Sequence, residues 1–189
     1  GTWIVHCQLQ RADLSQASLR RIQVQHTVLA AADLRGADLT RAQLQYCELQ
    51  AADLRGVDFS HSQFVAVSLR GVDLRGADLT GVRWQGCDLS FADLRGADLT
   101  RSDLTGANLD GANLRQTHLM AANLEAVNLT GADLSGATLF RVNLARAQLA
   151  RVNLKGAEFN GVYLQGAQVT ETDLQGAILH QTDLGRVIN

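Results

Sequence analysis

Proline is missing from all 189 residues, and aromatic side chains make up only 5% of them. Without proline the chain has none of the stiff, extended segments typical of disordered linkers. With so few rings, a core has to be assembled from aliphatic and small side chains, and a hydrophobic share of 46% supplies them. No run of about 18 apolar residues occurs, so no segment is built to span a bilayer. The opening residues, GTWIVHCQLQ, lack a basic stretch followed by an apolar one and do not read as a secretory signal. A cytoplasmic location is the expectation, with export left open. Neither charge sign dominates: 17 basic against 19 acidic side chains give a formal charge of −2. That balance does not direct the chain to nucleic acid or to a membrane surface.

What the sequence has instead is a period. From Ile4 to Leu184 every fifth residue is apolar, 37 positions without one insertion. Most are Leu, with Phe59, Phe64, Trp84, Phe159 and Val169 among the exceptions. Two residues before each stands Ala, Val, Cys, Ser or Thr, and Ile22 is the only larger side chain in that series. On an α-helix, steps of five advance about 500° and would spread the Leu over every face. On a straight strand an odd period throws alternate Leu to opposite sides. The pattern is consistent only if the chain turns a corner every five residues, always toward the same interior. The small residue and the Leu, two apart, then share the inward face.

A longer phrase counts the corners. ADLRGADLT at 32–40 returns as ADLRGVDFS at 52–60, VDLRGADLT at 72–80 and ADLRGADLT at 92–100. Four sides of five residues make one coil of twenty, and each side stacks on itself. On one side an Asp column (Asp33, Asp53, Asp73, Asp93), an Arg column (Arg35, Arg55, Arg75, Arg95) and corner glycines (Gly36, Gly56, Gly76, Gly96) line up. Glycine suits a corner that needs positive φ.

The A-[DN]-L-x-x unit resembles the pentapeptide-repeat family over essentially the whole chain. The resemblance implies an all-β fold, a right-handed quadrilateral parallel β-helix, in keeping with the handedness of parallel crossovers. About nine and a half coils of roughly 4.8 Å each are expected, as one uninterrupted domain over 1–189. Neither end carries a helix or polar strand to cover the core, although solenoids need caps. The expectation is a chain excised from a longer protein, or one whose ends stack on another copy as a homodimer.

The columns then decide what chemistry is available. Cys7, Cys47 and Cys87 fall on inward positions two coils apart, about 10 Å by strand spacing. That is too far for a disulfide or a shared metal. Each Arg of the column is expected to lie between the Asp on its own side and the Asp past the corner. The bland account of that ladder is self-neutralisation. The functional account is an acidic stripe, Asp38, Asp58, Asp78 and Asp98, with only Thr or Ser after each Leu, offered to a basic partner. Some pentapeptide-repeat proteins, the quinolone-resistance group, imitate duplex DNA and bind gyrase, which gives this stripe an implied role. Duplex DNA offers one charge per about 1.7 Å, the charge here is half compensated, and the gyrase-directed members interrupt their coils with loops that this frame lacks.

A second candidate is Met120 and Phe140, outward on adjacent coils, with Arg141, Arg146, Arg151 and Lys155 encircling nearly one coil. Outward apolar groups beside Arg are typical of interface anchors. Phe91 and Tyr163 are weaker cases. Phe64, Trp84 and Phe59 read as core packing, and His6, His26 and Tyr46 as a solvated corner column. No phosphate loop, zinc spacing or nucleophile motif occurs. The expectation is a non-catalytic scaffold for a protein partner, with no cofactor, no metal, no direct nucleic-acid binding and no membrane. A DNA-mimicking gyrase or topoisomerase binder and a structural spacer are the alternatives.

Overall fold

The computed structural model describes residues 2–182 and Val187. The chain forms a right-handed four-sided parallel β-solenoid of about nine turns, with no helix among the described residues. Its walls are named here by their first central residue: the first on Ile4, the second on Leu9, the third on Leu14 and the fourth on Leu19. On the first wall β1 (Trp3–Val5), β2 (Gln23–Gln25), β3 (Gln43–Gln45) and β4 (Gln63–Val65) pair in parallel, each displaced by twenty residues from the last. On the fourth wall β5 (Thr138–Phe140), β6 (Glu158–Asn160) and β7 (Ile178–His180) do the same. Elsewhere each side is so short that one residue pair bridges successive coils.

The unit Ala32–Gly36 shows why five residues suffice for a side. Ala32 donates its N–H to the Leu29 carbonyl across the corner at 3.0 Å, and Asp33 donates to Ala12 one coil before at 2.9 Å. Leu34 and Gly36 donate to Asp53 and Arg55 one coil on, at 2.9 and 3.0 Å. The fifth N–H, of Arg35, goes to Oδ1 of Asp33 at 3.1 Å. All five donors are satisfied, as a buried or half-buried backbone demands. Where Asp or Asn stands before the central residue it therefore has a building role: its short side chain reaches the N–H two residues on.

Positive φ holds at every described corner, in fifteen glycines and in twenty-one other residues including Arg41, His61 and Phe91. Corner glycine is thus one solution among several, and the pairing of the coils holds the rest in the left-handed region. The residue following a corner decides how tightly it closes. Where Ala follows, its N–H reaches the preceding central carbonyl at 2.9–3.1 Å, whereas Ile22, Val57, Val72, Val82, Thr117, Val127 and Val152 manage 3.2–3.4 Å. The described corners that do not close in this way precede Cys7, Thr27, Cys47, Val67, Val142, Val162, Thr172 and Thr182. Branching at Cβ (or the bulk of sulfur) crowds the turn, and β1–β6 each lead into such a corner.

The interior is one continuous stack of central Leu and small neighbours. Trp84 and Phe59 are its largest fully buried side chains. Trp84 stacks on Phe64 with centroids 4.5 Å apart, and Phe59 meets both rings edge-on at 5.2 and 5.3 Å. The three cysteines are free, Cys47 and Cys87 buried. Burial pushes the Cys87 thiol up to about 11. The last positions of the frame, Leu184 and Asn189, lie outside the described residues.

Candidate interaction surface

The Arg column of the third wall folds back on its own side. Arg35 grips Asp33 with Nε and Nη2 at 2.9 and 2.6 Å, and Arg75 and Arg95 hold Asp73 and Asp93 in the same fork. The second carboxylate within reach is on the same wall one coil on: Arg35 to Asp53 at 3.8 Å, Arg55 to Asp73 at 3.6 Å and Arg75 to Asp93 at 3.8 Å. The expected contact past the corner does not form. The corner turns Asp38, Asp58, Asp78 and Asp98 onto the adjoining wall, while a stacked Asp of the same wall stays in reach of the guanidinium. These forks hold the Asp33 carboxyl at about 2, and those of Asp53, Asp73 and Asp93 below the usual carboxylate value.

The fourth wall is left with uncompensated charge. Asp38 pairs with Arg20 at 3.1 Å, but Asp58, Asp78 and Asp98 form no ion pair among the described residues. Oδ1 of each of the four accepts the N–H of Thr40, Ser60, Thr80 or Thr100 at 2.8–3.0 Å, so one oxygen of each is engaged in the fold. The Thr40 hydroxyl, its N–H and Arg20 keep the Asp38 carboxyl below its ordinary value. The acids stack directly by parallel bridges, Asp38 to Asp58 to Asp78 to Asp98, and the column continues into His118 and Thr138.

Met120 and Phe140 stand on this same wall, on the two coils that follow the acidic stripe. Met120 is exposed, and Phe140 is half-buried beside Thr138, Glu158, Asn160, Ile178 and His180 in a groove of about 260 Å³. The Arg141 guanidinium lies 5.3 Å from the centroid of the Phe140 ring, a cation–π contact. The other three cations diverge. Arg146 and Arg151 occupy the next two corners, with Arg146 3.5 Å from Glu125, and Lys155 sits on the third wall 3.2 Å from Asp173. Only Arg141 shares a surface with the apolar pair. Phe91 projects from a corner of the second wall under the Arg70 guanidinium, 4.7 Å away. Tyr163 is exposed on the first wall, and His6, His26 and Tyr46 form a column of parallel rings 4.9 Å apart.

Sequence reasoning singled out the acids and the apolar pair separately and missed that one wall carries both. The signal was there, since the central residues 39, 59, 79, 99, 119 and 139, which the acids precede and Met120 and Phe140 follow, differ by multiples of twenty.

The description "Pentapeptide repeats" matches residues 85–119, 117–156 and 153–188, with eight copies, and "Pentapeptide repeat region" matches 3–79. No curated protein matches the chain. Among solved structures, HetL, a pentapeptide repeat protein involved in heterocyst differentiation regulation from the cyanobacterium Nostoc sp. strain PCC 7120, is 30% identical. The match covers 97% of this chain and 90% of HetL with a TM-score of 0.52. Trypsin-treated QnrB1, a plasmid-mediated fluoroquinolone resistance protein, is 20% identical over 97% of this chain and 91% of its own, with a TM-score of 0.68, a likeness of fold. With the repeat matched along nearly its whole length and the coil geometry in place, the chain belongs to the pentapeptide-repeat family.

Proposed function

We propose that this protein is a non-catalytic scaffold that holds a protein partner against its fourth wall. One observation carries the reading: Asp58, Asp78 and Asp98, unpaired among the described residues, share a wall with Met120 and Phe140, which stand on the next two coils beside His118 and Thr138. Apolar anchors beside charge are the residues on which interfaces depend most, while the carboxylates steer a basic partner into register. The wall is convex at its corners and shallow between them, which suits a broad protein contact better than an enclosed small-molecule site. A part in regulation, the role described for HetL, fits a molecule that acts by holding another.

The test places a photo-crosslinking residue at position 120 or 140, and in parallel at position 115 on the third wall, in the chain's own host. One species crosslinked from the fourth wall, absent from the third and lost in Phe140→Ala, is the expected result. Equal capture from both walls, or none, overturns it.

The unpaired carboxylates also favour a second reading, mimicry of DNA toward gyrase or a topoisomerase. Their spacing of about 4.8 Å per coil is sparser than the one charge per about 1.7 Å of a duplex, which places this reading second. A gyrase supercoiling assay decides it. Inhibition abolished by changing Asp38, Asp58, Asp78 and Asp98 to Asn promotes mimicry, and no inhibition removes it for gyrase.

A further inference from the structure

The edge where the fourth wall meets the first carries a polar groove of about 270 Å³, lined by Arg41, Gln43, His61, Gln63, Gly81 and Arg83. Three coils contribute two residues each: a corner residue (Arg41, His61, Gly81) and the residue before the central position (Gln43, Gln63, Arg83). Every lining side chain can donate a hydrogen bond, and none is a carboxylate. Neither guanidinium has an acidic partner within ion-pair distance among the described residues, in contrast to the forked Arg column two walls away.

Among the described residues the carboxylates of the adjoining positions pair with neither guanidinium. Asp58 and Asp78 stand on the fourth wall and accept the N–H groups of Ser60 and Thr80. Asp103, stacked next to Arg83 on the first wall, accepts from Gln85 Nε2 at 2.6 Å and from Thr105 N and Oγ1 at 3.1 and 2.6 Å.

Two choices of residue open the site. Arg83 is the only Arg or Lys in the whole chain at the position before a central residue; in its own column that position is Gln at 43 and 63 and Asp or Asn at 103, 123 and 143. Gly81 stands in the corner column between His61 and Arg101, after Arg21 and Arg41. A Cβ at Gly81 would lie 2.6 Å from Nδ1 of His61, whose ring folds over the glycine and closes one end of the groove.

We infer that the Arg41–His61–Arg83 groove binds a tetrahedral oxyanion, a phosphate group either free or as a monoester. Two guanidiniums facing one cleft supply the planar forks that match phosphate oxygens. Gln43, Gln63 and His61 add neutral donors, and the volume, just under the usual small-molecule range, leaves room for a phosphate with a small ester group.

The test titrates the purified chain at constant ionic strength with inorganic phosphate and, separately, with phenyl phosphate, following the His61 imidazole and Arg Nε signals by NMR. Saturable shifts confined to Arg41, His61 and Arg83 are expected, weakened at least about tenfold in Arg83→Gln, the scale of one lost charge-assisted bond. Phenyl phosphate binding the tighter assigns the groove to a phosphomonoester, and inorganic phosphate the tighter assigns it to the free ion. Arg41→Gln serves as the second variant, because Gln occupies the same left-handed corner at positions 16, 116 and 181. Shifts that never saturate, that spread evenly over all Arg, or that survive both substitutions overturn the assignment.

Discussion

The indole Nε1 of Trp84 donates a hydrogen bond to Oγ of Ser62, 3.1 Å away and wholly inside the solenoid. Trp84 replaces a Leu, and its N–H has no water to turn to. Ser62 replaces the Ala usual at its position and supplies the acceptor. Ser62→Ala is expected to cost about 1–3 kcal/mol, the penalty for an orphaned buried donor, measured by urea denaturation. In a Trp84→Phe background the same substitution costs far less, because no N–H remains to be orphaned.

Ser102 is the opposite case. It stands at an equivalent inward position, but its buried Oγ has no hydrogen-bond partner among the described residues. Ser102→Ala removes an unsatisfied polar atom and restores the residue most frequent in that series, so a gain of about 1 kcal/mol is expected. A loss of stability in the same denaturation experiment refutes this.

The Arg forks make stability depend on acid. In the folded chain the Asp33 carboxyl is held at about 2 by the side chain and N–H of Arg35, against an ordinary value of 3.8. Between those values the unfolded chain binds more protons than the folded one, so stability is fully present above 3.8 and drains away as the pH falls toward 2. Asp53, Asp73 and Asp93 shift in the same direction. Denaturation midpoints should therefore fall through this window, and fall less in a chain carrying Arg35→Gln, Arg55→Gln and Arg75→Gln. An unchanged acid dependence in that variant excludes the forks as its cause.

Two glycines with the same φ should respond differently to alanine. A Cβ on Gly131 meets nothing within 4 Å, whereas one on Gly111 would come within 2.8 Å of the Phe91 ring. Ala already occupies left-handed corners at 31, 51, 66, 121 and 126, so Gly131→Ala is expected to cost about 1 kcal/mol. Gly111→Ala adds the clash, about 1–3 kcal/mol more, and Phe91→Ala relieves that excess. Equal melting temperatures for the two single variants would falsify the steric account.

Much of this architecture was legible because the five-residue frame and the return of ADLRG every twenty residues leave no other way to bury the Leu. The direction in which each Arg reaches was not. Arg35 is two residues from Asp33 and three from Asp38 in sequence, and only the right-angled corner makes Asp53, eighteen residues on, the better second partner. The tightest corners were marked in the small-residue series by Ala, but which corners stay open was not, since Val57 and Val152 close while Val67 and Val162 do not. The groove at Arg41 and Arg83 escaped notice because its residues are spread over three coils, and only stacking brings a corner and a wall position side by side.

The accounting of backbone donors has a further consequence. With each N–H of a unit such as Ala32–Gly36 already taken, along the axis or across its own corner, a wall has no free strand edge to lend sideways. A visitor to a wall reads only side chains, set out on a grid with rows one coil apart. One outward square can be rewritten without shifting its neighbours or the Leu beneath, so chains of this construction can trade one clientele for another by surface edits alone, on an interior that never has to be reinvented.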